Sequence, residues 1–211
     1  MMENLQITVL TVGQMVTNCY LLYDPDTLST LIIDPGDDAE YIIRKLKDMS
    51  LRPVFLAATH GHFDHIMAAL ELQLAFDIPF YINKKDIFLM KNMQRSARHF
   101  LGILQVDPPP QINGFLTDKK ILNVGNEKIE ILETPGHTPG SVCLYQEKSK
   151  SLFGGDLLFA GGGVGRTDFS YSSSDFLQKS LYSILSLPDD TTIFPGHGPS
   201  FTLSQYKNNH W

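Results

Sequence analysis

The most informative segment of the chain contains three histidines and one aspartate: Thr59-His60-Gly61-His62-Phe63-Asp64-His65. Neutral imidazole is a good ligand for Zn²⁺ and for iron, and a carboxylate adds compensating charge. In an extended backbone, residues i and i+2 point to the same side, so His60 and His62 can reach one ion. If a helix begins near Asp64, the side chains of Asp64 and His65 diverge by about 100° and can serve a second ion. The segment therefore predicts two metal ions close together.

Two more histidines and one more aspartate lie in similar contexts further along the chain. His137 and His197 each follow a Pro-Gly pair, and Asp156 follows a Gly-Gly pair. Each pair ends a strand-like run, and loops at strand ends are where sites are often assembled. Taken alone, a loop histidine is more often a surface or capping residue. Three buried histidines and an acid without a metal would need many hydrogen-bond partners, however, so the cluster at 60–65 favours metal binding for the whole set.

Composition limits the classes of protein to which the chain can belong. Of its 211 residues 43% are apolar, as in ordinary globular proteins, and no apolar run has the roughly 18 residues of a membrane-spanning helix. A formal charge of −6 without a basic patch excludes general affinity for nucleic acid. Residues 1–4 lack a basic segment, so we expect no cleaved secretory signal. We expect a soluble, cytoplasmic protein that acts on a small molecule and binds neither nucleic acid nor membrane.

Strand-like runs that alternate with helical periodicity predict a layered α/β domain. Eight strands are expected, at Leu5–Leu10, Asn18–Tyr23, Thr30–Asp34, Val54–Thr59, Lys128–Glu133, Ser141–Gln146, Ser151–Gly154 and Thr191–Phe194. Three helices are expected, one through Ala39, Ile42, Ile43 and Leu46, one over Asp64–Phe76, and one through Leu177, Leu181, Ile184 and Leu185 with its cap in Ser172–Asp175. The two cysteines, Cys19 and Cys143, are too few for a disulfide framework and are expected to be buried thiols.

Two segments have more than one interpretation. Residues 86–118 favour a helix that packs on the core, followed by a Pro-stiffened connection, over a cover above the active site. Residues 13–17 form either a mobile hairpin near the metals or a simple turn.

These motifs, in this order, resemble the metallo-β-lactamase-fold hydrolase superfamily. The resemblance includes Thr17–Leu22, Ile32–Gly36, the segment at 60–65 and the later ligand positions, and so extends over nearly the whole chain. Gly136–Ser141 and Gly165–Phe169 look most like short glyoxalase II-like proteins, the hydroxyacylglutathione hydrolases and their relatives. The resemblance implies an αββα four-layer sandwich, with two sheets between helices. It also implies a single domain over residues 1–211 without the C-terminal helical glutathione-binding domain of full-length glyoxalase II.

The resemblance also implies a ligand set. One ion would be held by His60, His62 and His137, the second by Asp64, His65 and His197, and both by Asp156 as a bridge. Zinc is the expected metal, with iron and manganese as alternatives. Asp64 would also orient the nucleophile, and Asp34 would support the histidine loop without touching metal. His99 and His210 remain as expected surface residues.

The implied reaction is hydrolysis of a thioester by a metal-bridging hydroxide. Two divalent cations would outweigh the carboxylates and the hydroxide around them, which suits an anionic substrate such as an S-2-hydroxyacylglutathione. Arg166 would pair either with a substrate carboxylate or with Asp168. Two tyrosines of the glutathione site are replaced here, by Asp168 and Pro199, which argues against strict glutathione specificity.

Three other functions stay open at this point. A persulfide dioxygenase of the same fold would use one iron, and a lactonase or β-lactamase would use the same two metals on a cyclic ester or amide. A non-enzymatic module of an electron-transfer or regulatory assembly is the third, and the complete ligand set argues against it.

Overall fold

Two six-stranded mixed sheets form the centre of the molecule in the computed structural model, which describes residues 5–210 without the side chains of 209 and 210. The first sheet contains, side by side, β1 Gln6–Val12, β2 Thr17–Tyr23, β3 Ser29–Ile33, β4 Arg52–Ala57, β5 Phe80–Ile82 and β6 Ile112–Phe115. The second contains, in the same manner, β7 Ile121–Val124, β8 Glu127–Glu133, β9 Val142–Gln146, β10 Ser151–Gly155, β11 Thr192–Pro195 and β12 Phe201–Thr202. β3 to β6 run parallel to one another, as do β10 and β11.

Helices cover the outer faces of both sheets. They are α1 Ala39–Asp48, α2 Ala69–Phe76, α3 Ile87–Lys91, α4 Met93–Leu101, α5 Ser174–Leu185 and α6 Leu203–His210. The buried side chains fall into three clusters: α1 to α4 against the first sheet, the first sheet against the second, and the second sheet against α5 and α6. The layers therefore follow the order helix, sheet, sheet, helix, which confirms the expected αββα architecture.

All eight strands expected from the sequence are present, with ends within two residues of the expected ones. Four strands were not expected, namely β5, β6, β7 and β12. Each has at most four residues, which is too short to show a reliable alternation of apolar and polar positions. The helices around Ile42 and Ile184 are confirmed, and the Ser173 hydroxyl caps α5 by accepting a hydrogen bond from the Phe176 amide.

The expected helix over Asp64–Phe76 is wrong in its first part. Residues Phe63–His65 form a single 3₁₀ turn, and α2 begins only at Ala69. Between them Ile66 has φ −138°, which lies outside the helical region, and the Ala68 amide donates to the carbonyl of Pro35 instead of to a helical acceptor. The α-helix therefore begins only after Asp64 and His65, which lie in the preceding 3₁₀ turn.

The remaining structural expectations concern exposure. Cys19 and Cys143 are buried free thiols, and His99 is exposed, as expected. In residues 86–118, the side chains of Met90, Met93 and Ala97 are buried in the core of the first sheet, which confirms the favoured packing. Within the described range, 5–210, no helix is long and apolar enough to cross a membrane. The expectations for residues 1–4 and for the side chain of His210 lie outside the described residues.

Phe153 tests the inter-sheet core. Its side chain is fully buried, with ring centroids 5.2 Å from Tyr20 and 5.1 Å from Phe194. We expect Phe153→Ala to lower the free energy of unfolding by about 3–5 kcal/mol, because the cavity lies between two sheets that cannot collapse around it. Urea unfolding measures the change. Leu104→Ala, at a side chain that is 88% exposed, serves as the control and should change it by less than about 0.5 kcal/mol. A similar effect of both variants would contradict the assignment of this core.

Candidate metal centre

The seven expected ligands come together at one edge of the two sheets. His60 lies after β4, His137 after β8, Asp156 after β10 and His197 after β11, while the segment around His62 and His65 follows His60 directly. Both sheets thus contribute, through loops that follow strand ends. The seven side chains form three overlapping groups whose nitrogen and oxygen atoms lie within 4.8 Å of one another: His60 with His62 and His137, His60 with His65 and Asp156, and Asp64 with His65 and His197.

The first triad consists of three imidazole nitrogens that face one another. His60 Nε2 and His137 Nε2 each lie 3.0 Å from His62 Nδ1. His60 is fully buried, and His137 is nearly so. This arrangement places three imidazole nitrogens around one point, where they could bind one ion.

The second triad adds a carboxylate. Asp64 Oδ2 lies 3.4 Å from His197 Nε2 and 3.7 Å from His65 Nε2. Asp156 stands between the triads, with Oδ1 3.6 Å from His65 Nε2 and Oδ2 3.6 Å from His137 Nε2. Each oxygen of Asp156 therefore faces a different triad, as a bridging ligand requires.

Each histidine of the cluster has a hydrogen-bond partner on the ring nitrogen that points away from it. His137 Nδ1 donates to the carbonyl of Arg166 at 2.9 Å, and His197 Nδ1 to that of Val16 at 3.3 Å. Because carbonyls only accept hydrogen bonds, the proton of each ring lies on Nδ1 in its neutral form, and the lone pair of Nε2 then faces the cluster.

Asp34 orients two further rings. Its Oδ2 accepts from His65 Nδ1 at 3.0 Å and from the Thr59 hydroxyl at 2.7 Å, and its Oδ1 accepts from the Thr59 amide at 2.6 Å. Since the Thr59 proton is used in this way, its oxygen accepts from His60 Nδ1 at 3.1 Å. Asp34 thus directs His60 and His65 into the cluster without lying in it. The fifth ring, His62, is bound through Nε2 to the hydroxyl of Tyr171 at 2.8 Å.

The two triads differ in their charge when only protein groups are considered. Burial and the neighbouring histidines hold the pKa of His60 far below its usual value and lower that of His62 to about 3. Burial also opposes charge on His65, but the three carboxylates around it outweigh burial and raise its pKa to about 10. His60 and His62 are therefore neutral, whereas His65 carries a proton that a bound cation would displace.

Unpaired polar atoms show that the cluster fits metal ions. His65 Nε2 and Asp156 Oδ1 are buried and have no hydrogen-bond partner. Leaving buried polar atoms unpaired is costly, and so is facing lone pairs toward one another. Imidazole nitrogen and carboxylate oxygen are the donors that zinc and iron prefer. The His/Asp cluster is therefore suited to two divalent metal ions.

Glycines allow the loops to approach this closely. A Cβ atom at Gly196 would lie 2.4 Å from Asp156 Oδ1 and 2.7 Å from His65 Cε1. The Gly196 amide also donates to the Gly155 carbonyl at 2.8 Å, which joins the loops after β10 and β11. A larger residue before His197 would push Asp156 out of position.

Asp86 is a supporting residue that the sequence did not reveal. It is fully buried and accepts hydrogen bonds from the Gly61 amide at 2.9 Å, the Gly140 amide at 2.7 Å and the Thr138 hydroxyl at 2.6 Å. Gly61 lies between two histidines of the first triad, and Thr138 follows the third. Asp86 therefore links the loop that contains Gly61 to the loop that contains Thr138 and Gly140 through hydrogen bonds. Its position in Asn83-Lys84-Lys85-Asp86 carries no signal of this role, because its partners are 25 to 54 residues away.

Asn18 holds the loop that contains His197 in place. Its side-chain amide donates to the carbonyls of Pro195 at 3.0 Å and Gly198 at 2.8 Å, on either side of His197. The Tyr20 hydroxyl also donates to the Pro195 carbonyl, at 2.7 Å. β2, a strand of the first sheet, thus holds the loop of the second sheet that contains His197.

A cavity opens above the cluster. Met15 from the turn at 13–16, Leu89 from α3 and Phe100 from α4 line one part of it, and Phe169 and Tyr171 line another. Residues 86–118 therefore pack on the core and also wall the site. The turn at 13–16 lies beside the site as well.

Arg166 forms the pair with Asp168 that the sequence left as an alternative. Its Nε and Nη2 donate to the two carboxylate oxygens at 3.0 and 2.7 Å, and its guanidinium lies 4.7 Å from the Phe169 ring centroid. Both members of the pair are exposed, and Arg166 also lines the cavity. The contact of Arg166 with substrate stays a prediction.

Comparison with known proteins identifies the class to which this fold and site belong. A sequence profile of the metallo-beta-lactamase superfamily matches residues 12–197, and the chain belongs to this superfamily of metallo-hydrolases. Hydroxyacylglutathione hydrolase GloC of Haemophilus influenzae is 36% identical over 214 residues, which cover 98% of this chain and 97% of that protein.

Two solved structures are similar over nearly their whole length. The BLEG-1 B3 metallo-beta-lactamase superimposes with a TM-score of 0.87 at 35% identity and covers 96% of this chain and 97% of the other. TTHA1623, crystallised in a di-iron-bound form, superimposes with a TM-score of 0.86 at 33% identity. The match covers 96% of this chain and 98% of the other. These matches confirm the superfamily that the sequence motifs suggested.

Asp86→Ala tests the support of the first triad. The substitution leaves two amides and one hydroxyl without their buried acceptor, so we expect the free energy of unfolding to fall by about 3 kcal/mol. Urea unfolding of metal-stripped protein measures this. Asp190→Ala removes an exposed ion pair with Lys150 and should lower the free energy of unfolding much less than Asp86→Ala does. If the two variants lost equal stability, the three hydrogen bonds of Asp86 would make no net contribution.

Proposed function

We propose that the protein hydrolyses a thioester of the S-2-hydroxyacylglutathione type at a dinuclear metal centre. The observation that carries this proposal is the convergence of all seven ligand side chains, including those of the second triad. The 36% identity to hydroxyacylglutathione hydrolase GloC over almost the full length of both chains supports it. The cytoplasmic location inferred from the sequence stays a prediction.

The proposed ligands follow the two triads. His60, His62 and His137 would hold one ion, Asp64, His65 and His197 the other, and Asp156 would contact both. When bound, two divalent ions supply a hydroxide near neutral pH and polarise the thioester carbonyl. Zinc is the expected metal. Iron is an alternative that the di-iron form of TTHA1623 supports, and manganese is a further one.

Asp64 is the proposed catalytic residue of the chain itself. Its side chain lines the cavity and is 11% exposed. Burial alone would raise its pKa, but His65 and His197 outweigh burial and lower it, so Asp64 is ionised at neutral pH. An ionised carboxylate at this place can accept a hydrogen bond from the attacking water and orient it toward the carbonyl.

The cavity walls would hold the rest of the substrate. Apolar side chains such as Leu89 and Phe169 exclude water around the thioester, which strengthens every electrostatic interaction in the site. Arg166 would bind a carboxylate of the thiol half, with Asp168 fixing the orientation of its guanidinium.

Metal analysis and hydrolysis of S-lactoylglutathione test this function together. We expect about two metal ions per chain, hydrolysis that is lost on chelation and restored by Zn²⁺, and a loss of at least about 100-fold in kcat for Asp64→Ala. Asp26→Ala, in the turn between β2 and β3 at the far end of the sheet, is the control and should leave kcat unchanged.

Three results would contradict the proposal. One iron per chain with oxygen uptake on glutathione persulfide would indicate a dioxygenase. Turnover of lactones or β-lactams without turnover of thioesters would indicate another hydrolase. Full activity of Asp64→Ala would remove Asp64 as the residue that orients water.

Arg166→Ala tests the substrate contact. If Arg166 binds a carboxylate of the thiol half, KM for S-lactoylglutathione should rise about fivefold while kcat changes little, because an ion pair made equally in the ground state and the transition state affects binding alone. An uncharged thioester of N-acetylcysteamine should show no such change. Asp168→Ala, which leaves Arg166 in place, is the matched variant and should raise KM less. An unchanged KM in Arg166→Ala would mean that the pair with Asp168 is only structural.

A further inference from the structure

Tyr171 lines the cavity and is the outward partner of His62, the one cluster histidine that is bound through Nε2. The other four histidines of the cluster are bound through Nδ1 to a carbonyl, a carboxylate or Thr59, and all four direct Nε2 inward. His62 has the opposite orientation, with Nδ1 inward and Nε2 bound to the Tyr171 hydroxyl at 2.8 Å. The ring of His62 is therefore oriented by a phenol hydroxyl on Nε2, whereas the other four rings are oriented through Nδ1.

Aromatic neighbours hold the ring of Tyr171 in place. It stacks on Phe169 with centroids 5.2 Å apart and planes 9° apart, and the ring of Phe88 meets it edge-on at 5.3 Å. The side chain is half-buried. With the ring clamped on two sides, its hydroxyl presents a fixed oxygen to His62 Nε2.

A hydroxyl differs from a carbonyl because it can both donate and accept. When the proton of neutral His62 is on Nδ1, the Tyr171 hydroxyl can donate to Nε2. When Nδ1 acts as a ligand, the proton must be on Nε2, and the same oxygen can accept it. Tyr171 can therefore keep the ring of His62 in one orientation before and after Nδ1 gives up its proton.

We propose that Tyr171 is a positioning residue for the metal centre, which holds His62 Nδ1 toward the first triad through the hydrogen bond on Nε2. The proposal rests on the ligand assignment made under Proposed function. It predicts a selective effect, because Tyr171 contacts a ligand of the first triad and none of the second. The triad of His60, His62 and His137 should lose affinity when the hydroxyl is removed, and the triad that contains Asp64 should not.

Tyr171→Phe removes the hydroxyl and keeps the ring between Phe88 and Phe169. Metal-stripped protein is titrated with Zn²⁺ against a chromophoric chelator, and the two stepwise affinities are compared with those of the unsubstituted chain. We expect one affinity to fall about tenfold and the other to change by less than about twofold. Tyr41→Phe, which removes a hydroxyl on α1, is the matched control and should change neither. Thermal unfolding of the metal-stripped variants should be the same as that of the unsubstituted chain.

A second measurement reads the hydrogen bond directly. In the Zn²⁺-loaded protein, the Nε2 proton of His62 should give a ¹⁵N–¹H signal protected from exchange with water. That signal should broaden in Tyr171→Phe and persist in Tyr41→Phe. Equal zinc affinities in Tyr171→Phe and the unsubstituted chain would overturn the proposal, and so would an equal loss at both sites.

These outcomes are separable from the test of the proposed function. If the unsubstituted chain binds two ions but does not hydrolyse thioesters, the function fails, while the zinc titration still decides the role of Tyr171. If hydrolysis is observed and the two zinc affinities do not depend on the Tyr171 hydroxyl, only the role of Tyr171 fails.

Discussion

The constraint on which this structure depends is the mutual repulsion of the donor atoms that it brings together. A single proton on His62 Nδ1 can be donated to only one of the two imidazole nitrogens that face it at 3.0 Å, so in the absence of a cation the other lone pair has no partner. The rest of the fold must therefore hold these nitrogen atoms in place, and the contacts that do so lie outside the cluster. Every ring is fixed by a hydrogen bond on its far nitrogen, and every loop by contacts with a neighbouring loop or strand.

Asp34 and Asp86 are the clearest examples of this support. Asp34 has φ +51° directly after β3, and in this conformation its carboxylate reaches Thr59 and His65 at the end of the adjacent strand. Asp86 lies in the 3₁₀ turn Lys84–Asp86 after β5 and joins the loops of Gly61 and Gly140. Neither carboxylate lies among the seven ligands. Each increases the order of the ligand loops in the folded protein, so less ordering remains to be done when ions bind.

The residues that touch the proposed metals could be predicted from sequence, whereas most residues that hold them could not. The three histidines at 60–65 are close in sequence, and their spacing alone indicates a common target. Asn18 acts on a loop almost 180 residues away, and Tyr171 on a histidine 109 residues away, so no local pattern connects them. The same reasoning explains the error at Asp64–Phe76. Apolar periodicity continues through this segment, but the placement of Asp64 and His65 and the bond from Ala68 to Pro35 delay the helix until Ala69.

The two triads also differ in chemistry, and this difference affects the role that each would have in the proposed reaction. The first consists of three histidines, and the second replaces one of them with the ionised carboxylate of Asp64. An ion in the first triad would therefore keep more of its positive charge and attract an anionic oxygen more strongly. The first triad is also the one connected to the cavity wall through Tyr171, while Asp64 belongs to the second. Under the proposed function, Asp64 in the second triad would orient the attacking water, and the first triad would attract the developing charge on the substrate oxygen.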